Sequence, residues 1–296
     1  MRIAMIGDTK AGKTTYMAMM YQAMVGGFKD FRLATKDTGQ GSELLAEAWG
    51  IRHSKYPAMT SQRALYEFEL SHQRRVFFDF LWSDYRGGAL HDRSTEADTA
   101  ALHADLRAAD GIVVFADAER FARDPSAVAR HARRLTASCE WAIAQHSGGM
   151  PLPVVIAYTK ADLIRGRQSW AAAEQPLAGL RSLIASAPGV HDLSVRIRCN
   201  RRPKNVHIPV LWCLSHHIRD RIDQLERERS QWLERAGRAR SEVGLVEWAR
   251  ARWNGTESKG DEARAHAKRA AEVAAQMAPL QRPAMELGRM IARDLA

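Results

Sequence analysis

Positions 7–14 read Gly-Asp-Thr-Lys-Ala-Gly-Lys-Thr, and no other stretch of the chain restricts its fold as strongly. The octet follows a short apolar run, Ile3-Ala4-Met5-Ile6, and leads into a Met-rich stretch that continues to about residue 25. An ordinary strand-to-helix turn needs one glycine. Two glycines with a lysine beside the second fit G-x-x-x-x-G-K-[ST], in which main-chain N–H groups turn inward around phosphate oxygens. Glycine keeps side chains out of that concavity. Lys13 offers a point charge to β- and γ-phosphates and Thr14 a hydroxyl to Mg²⁺. The helix that follows points its positive end at the same anion. The expected phosphate site is therefore Gly7, Asp8, Thr9, Lys10, Ala11, Gly12, Lys13, Thr14 and Thr15.

The remaining pattern predicts the scaffold around that loop. Residues 2–6 read as a buried strand and 12–25 as a helix. Behind Ser42, an expected N-cap, Leu44, Leu45, Ala48 and Trp49 share a helical face, so a short helix is predicted within the irregular segment 31–53. "RALYEFEL" and "RRVFFDFLW", joined by Ser71, His72 and Gln73, read as a hairpin. Apolar runs at 111–118, 153–162 and 207–215, separated by helical stretches, read as parallel strands buried on both faces. The expected fold is α/β and doubly wound, a mostly parallel six-stranded sheet with one antiparallel edge hairpin. Beyond about residue 216 the composition turns helical and charged, which predicts a domain at 1–216 and a helical C-terminal extension at 217–296. Trp232, Trp248 and Trp253 are expected to anchor those helices.

Two strand ends carry further chemistry. "FFDFLWSDYRGG" ends in Asp84-Tyr85-Arg86-Gly87. A carboxylate after an apolar strand can hold Mg²⁺ through water, and a glycine three residues later can bring its N–H to a γ-phosphate. "PVVIAYTKAD" ends in Thr159-Lys160-Ala161-Asp162. A carboxylate there accepts from N1–H and N2–H₂ of guanine, a donor pair that adenine lacks, while the Lys160 stem covers the base. Each motif is weak alone. Both fall at the carboxyl ends of strands, where such sheets bind nucleotides.

In this order, GDTKAGKT, DYRG and TKAD resemble the TRAFAC-class P-loop GTPases, the Ras-like and translation-factor superclass, over about residues 1–216. The bacterial double-GTPase type is nearest, sharing a helical insertion before the first switch and the Thr-Lys-x-Asp form. The resemblance implies GTP and GDP as ligands, Mg²⁺ as cofactor, and a GTP-dependent switch. It also implies a threonine ahead of the hairpin that coordinates Mg²⁺ and senses the γ-phosphate, a role that falls on Thr60. After the last predicted strand it places the N–H of Ser215 at guanine O6. The implied catalytic set is Lys13, Thr60 and Gly87; the metal set is Thr14, Thr60 and Asp84; the base set is Thr159, Lys160, Asp162 and Ser215. Thr159 stands where the family has asparagine. Gly88 stands where many relatives carry the glutamine that orients the attacking water. Lys10, Arg86 and His91 are the neighbours that could compensate, and hydrolysis is expected to be slow or partner-stimulated. Two alternatives stay open: a nucleotide-binding scaffold acting through its C-terminal helices, and a P-loop ATPase or kinase.

Composition excludes more than it selects. No apolar run reaches the ~20 residues of a bilayer span and no leader is apparent, so a cytoplasmic setting is expected. The net charge of +10 includes Arg196, Arg198, Arg201, Arg202 and Lys204, and also Arg130, Arg133 and Arg134. Arginine and alanine abound along the whole chain, as a GC-rich genome produces, so nucleic acid is not the expected partner. Cys139, Cys199 and Cys213 make no metal pattern, alone or with His131, His216 and His217. An effector or regulator is instead expected at loops 53–63 and 84–100, or on the C-terminal helices.

Overall fold

The computed structural model describes residues 1–57, 64–84, 96–146, 149–241 and 258–295, without the side chains of 84 and 96–98. Its strands are β1 (Arg2–Gly7), β2 (Phe31–Thr35), β3 (Ala64–His72), β4 (Arg75–Asp84), β5 (Gly111–Asp117), β6 (Leu152–Thr159) and β7 (Val190–Arg196). They form one sheet in the order β2-β3-β4-β1-β5-β6-β7. Strands β4, β1, β5, β6 and β7 are mutually parallel, whereas β2–β3 and β3–β4 pair antiparallel. The helices are α1 (Lys13–Val25), α2 (Thr38–Arg52), α3 (Glu96–Arg107), α4 (Ala118–Arg123), α5 (Pro125–Gln145), α6 (Arg167–Glu174), α7 (Ala178–Ser186), α8 (Ile208–Ser241) and α9 (Lys259–Leu295).

The mostly parallel, doubly wound sheet with its antiparallel β3–β4 hairpin matches the expectation, but it has seven strands. Three differences account for the count. The edge strand β2 lies in the segment expected to hold only a helix. Residues 207–215, expected as the last strand, are instead the beginning of α8. Val210, Leu211, Cys213 and Leu214 are all fully buried there, and a short run buried all round reads alike as strand or helix. Pro209, in the first turn, suits a helix start because the N–H that proline lacks would have no intrahelical partner there in any case. The true last strand, "VHDLSVR", lies at the sheet edge and mixes His, Asp, Ser and Arg with its apolar residues, so no apolar run marks it. Likewise α2 starts earlier than Ser42 predicts. Asp37 is its N-cap, accepting from the N–H groups of Gly39 and Gln40 at 2.7 and 3.2 Å.

Alternation along the central strands sends side chains to two layers. Ala4, Ile6, Ile112, Val114, Ala116, Val154 and Ile156 share one core with buried residues of α3, α5 and α7. The opposite face takes α1 and α8: Tyr16 packs on Phe115 with ring centroids 5.0 Å apart, and Cys213 approaches Gly111. Because both faces are covered, every residue of β5 and β6 is buried. The carboxyl ends of β1, β5 and β6 are thereby held side by side.

Two compact units partition the chain, Met1–His217 with Leu287–Ala296, and Ile218–Glu286. The described residues of the second belong almost wholly to α8 and α9. Its buried side chains are small or flexible, among them Leu225, Ala236, Ala263, Ala270, Val273 and Met277, and Trp232 stacks on His266 with centroids 5.4 Å apart. No helix among the described residues is long and apolar enough to cross a membrane.

Candidate functional site

Strand β1 lies between β4 and β5, and its Ile3, Ala4, Met5 and Ile6 are buried. Its carboxyl end, where connections leave toward opposite sides of the sheet, delivers Gly7–Gly12 to a topological switch point. The two glycines of this loop are required for different reasons. A Cβ on Gly7 would sit 2.8 Å from the Phe115 carbonyl oxygen and 2.9 Å from its Cβ, so close packing on β5 excludes any side chain. At Gly12 a Cβ would meet Thr159 at an ordinary 3.6 Å, but φ is +84°. There the left-handed backbone, not the space, selects glycine. Lys10 is also left-handed, at φ 66°, and exposed.

The loop closes on itself through Ala11 N–H, which donates to the Asp8 carbonyl at 3.1 Å, and α1 begins with Tyr16 N–H donating to Gly12 O at 2.8 Å. Lys13 is only 7% exposed, and its Nζ donates to the carbonyls of Gly7 at 3.0 Å and Asp8 at 3.2 Å. The ammonium thus lies in the loop's own concavity. Thr9, Thr14 and Thr15 are half-buried around it. Asp8 is buried; one carboxylate oxygen accepts from Thr9 N–H at 2.7 Å and the other from Arg120 of α4 at 2.5 Å.

Two strands away, β6 ends at Thr159, 2% exposed. Its Oγ1 stands 2.9 Å from the carbonyl of Ala11 and 3.1 Å from that of Ala116. One hydroxyl proton serves both acceptors. The Thr-Lys-x-Asp turn is therefore joined directly to the phosphate loop and to the end of β5. Lys160 turns left-handed, at φ 54°, and its Nζ pairs with Asp117 at the end of β5. Asp117 also caps α4 by accepting from Arg120 N–H at 3.2 Å. Asp162 is exposed in the short 3₁₀ turn Ala161–Leu163 and accepts from Asn200 Nδ2 at 3.0 Å. Burial, and then the Asp162 charge, push the neighbouring Cys199 thiol up to about 12.

Ser215 does not join this group. It is buried within α8, on no loop, because the segment before it is helix rather than strand. The loop that does follow the last strand carries Arg198, Cys199 and Asn200 and runs beside the Thr-Lys-x-Asp turn, with Ala161 N–H donating to Ile197 O at 3.2 Å. Asp84 ends β4 in register with Met5 of β1. Its side chain, and the whole of Thr60, Arg86, Gly87, Gly88 and His91, lie outside the described residues.

Sequence reasoning missed Asp117, Arg120 and Asn200. Asp117 had a signal: an acidic residue that ends an apolar strand directly ahead of a helix-forming stretch is an N-cap pattern. Asn200 had none, since its loop was assigned to the wrong side of the last strand. Within the basic segment two residues are already engaged. Arg196 lies 4.0 Å above the Trp170 ring and donates to Glu174 at 2.9 Å, while Arg198 Nε donates to Arg202 O at 2.7 Å. No cluster of three His, Cys, Asp or Glu side chains suited to a metal occurs among the described residues.

No curated protein matches the chain. Among solved structures, a bacterial selenocysteine-specific elongation factor, EF-Sec, is similar at 13% identity and a TM-score of 0.33, over 65% of this chain and 25% of that one. This chain thus spans about a quarter of that protein's length. The sequence profile of Double-GTPase 2 matches residues 1–205, a span that holds both the phosphate loop and the Thr-Lys-x-Asp turn, and the chain belongs to the Double-GTPase 2 family.

Proposed function

We propose that this protein binds GTP and GDP and works as a switch whose hydrolysis is slow or partner-stimulated. Membership of a GTPase family already implies nucleotide binding. The observation that supports the finer reading is the 2.9 Å contact from Thr159 Oγ1 to Ala11 O, which brings the loop proposed to hold phosphate against the turn proposed to read guanine. The loop also suits a polyphosphate: φ is left-handed at Gly12, and the Lys13 ammonium lies within the loop's concavity.

In this reading Gly7 to Thr15 hold the phosphates, with Lys13 leaving the Gly7 and Asp8 carbonyls to meet them. Asp162 accepts from guanine N1–H and N2–H₂, and Thr159 and Lys160 hold the turn that presents it. Mg²⁺ supplies charge neutralisation at the β- and γ-phosphates. Thr14 would hold it with Asp84 and Thr60. Thr60 and Gly87 are assigned to sensing the γ-phosphate. With Gly88 in place of a water-orienting glutamine, turnover is expected to be slow. Nucleotide binding is assigned to 1–216 and partner contact to loops 53–63 and 84–100 or to 217–296.

The test is titration of GTP, XTP and ATP against wild type and Asp162→Asn. An amide at 162 donates to the C2 carbonyl of xanthine and still accepts from N1–H. Wild type should prefer GTP by at least about tenfold, ~1.4 kcal/mol, and the variant should reverse GTP and XTP without gaining ATP. Equal binding of ATP and GTP by wild type, unaltered in the variant, would make the protein an ATP-using P-loop protein.

A further inference from the structure

Two charge pairs flank the phosphate loop and meet at the start of α4. Asp8, inside the loop, pairs with Arg120; Asp117, which caps α4 at Arg120 N–H, pairs with Lys160. Arg120 is thus held at both ends, its main chain by Asp117 and its guanidinium by Asp8. The four residues run from the end of β1 through α4 and the end of β5 to the turn after β6.

The Asp8–Arg120 pair has an electrostatic reason to exist. Asp8 is 5% exposed and occupies the second position of a loop proposed to receive a polyphosphate. A lone carboxylate there would repel the ligand, in a setting where water screens little. It also takes the Thr9 N–H, one of the loop's donors, at 2.7 Å. Arg120, whose side chain is 44% exposed, reaches in to neutralise the other oxygen. With Asp8 buried and Arg120 half-exposed, desolvation offsets most of the attraction and the pair adds little net stability, although removing Arg120 alone would leave the Asp8 charge uncompensated.

We propose that Arg120 is a positioning residue of the nucleotide site, cancelling the Asp8 charge within the phosphate loop and orienting that carboxylate away from the ligand. The proposal rests on the nucleotide-binding reading above. It assigns to Arg120 an effect on phosphate affinity that vanishes when Asp8 carries no charge.

The experiment is a double-mutant cycle on the full chain, with GTP and GDP titrated calorimetrically and melting temperatures measured in parallel. Arg120→Gln should weaken both nucleotides by about tenfold or more, with a fall in melting temperature that Asp8→Asn reverses. Arg120→Lys should keep most of the affinity. In the Asp8→Asn background, whatever that change itself does to affinity, adding Arg120→Gln should weaken binding far less than Arg120→Gln does alone. Wild-type affinity in Arg120→Gln overturns the proposal, as does a loss that Asp8→Asn leaves in place. A fall in melting temperature matching the affinity loss, with no rescue, would make Arg120 a fold contact and overturn it too. Wild type that binds neither nucleotide would instead remove the functional reading on which the proposal stands.

Discussion

Thr159→Val isolates one hydroxyl at the centre of the site. Valine keeps the branched shape and removes only the donor facing the Ala11 and Ala116 carbonyls, 2.9 and 3.1 Å away. One proton is shared between them, so one hydrogen bond is lost, not two. A typical intramolecular bond is worth about 1 kcal/mol net, and a buried carbonyl left dry costs about 1–3 kcal/mol. Thr159 is 2% exposed, which leaves little room for water to replace the donor. A destabilisation of about 1–2 kcal/mol is expected. With a urea dependence of roughly 2–3 kcal/mol per molar, the unfolding midpoint should fall by about 0.5 M. Because Ala11 belongs to the phosphate loop, GTP affinity should fall by about tenfold, ~1.4 kcal/mol. Thr159→Ser, which retains the hydroxyl, should recover most of both. Urea titration and calorimetry on the three proteins decide it. A valine variant with wild-type midpoint and wild-type GTP affinity would show that neither carbonyl depends on the hydroxyl, and the proposed joining of the two loops would fall.

Lys13→Ala should leave the fold intact by circular dichroism and weaken GTP by roughly 10- to 150-fold, the loss of a charged hydrogen-bonding partner worth about 1.5–3 kcal/mol; unchanged calorimetric affinity would remove the phosphate-loop assignment. Acid should destabilise the protein in two steps around Asp294 of α9, which accepts from Lys29 at 2.6 Å and lies 3.0 Å from His207 Nε2. Burial lowers the His207 pKa despite the opposing pull of Asp294. Its contribution is therefore complete above the unfolded value of about 6.5 and lost as pH falls through the lower folded value. Burial would raise Asp294, but the bonds from Lys29 and His207 win and lower it, so its share persists to below about 4. Urea midpoints across pH should decline first below about 6 in wild type and not in His207→Gln; identical profiles would sink the assignment. Single-turnover hydrolysis by the isolated chain should be slow, roughly 10⁻⁴ to 10⁻² s⁻¹, and a much faster rate would mean that a group acting in cis has been missed.

Residues were legible in the sequence where local chemistry and tertiary environment demand the same thing. The phosphate loop is such a case: Gly7 and Gly12 answer to close packing and to a left-handed φ, and each leaves a glycine in the sequence. Strands β5 and β6 were legible because burial on both faces forces unbroken apolar runs. Strand β7 was not, because an edge strand tolerates His191, Asp192 and Arg196. The start of α8 was misread for the complementary reason, since full burial erases the amphipathic period that tells helix from strand. Ser215 followed that error into the site. Lys160 shows a subtler limit: its place in the motif was plain, but its partner Asp117 comes from a strand 43 residues away, which no local pattern encodes.

The division of labour along β1, β5 and β6 follows from these contacts. Within the sheet these strands are held by apolar burial, which is strong but indifferent to the exact placement of the loops beyond their ends. At their carboxyl ends the contacts change character: Thr159 bonds to Ala11 or Ala116, Arg120 to Asp8, and Lys160 to Asp117. Each such link adds little net stability, because water would satisfy the same groups in the unfolded chain. Each is costly to break once buried, so together they define one arrangement of the loops and penalise the others. Asparagine at 159 would offer two amide hydrogens where threonine offers one proton. One proton suffices because the Ala11 and Ala116 carbonyls converge on Thr159 Oγ1, and the close packing of Gly7 on Phe115, the residue before Ala116, keeps the start of that loop beside the end of β5.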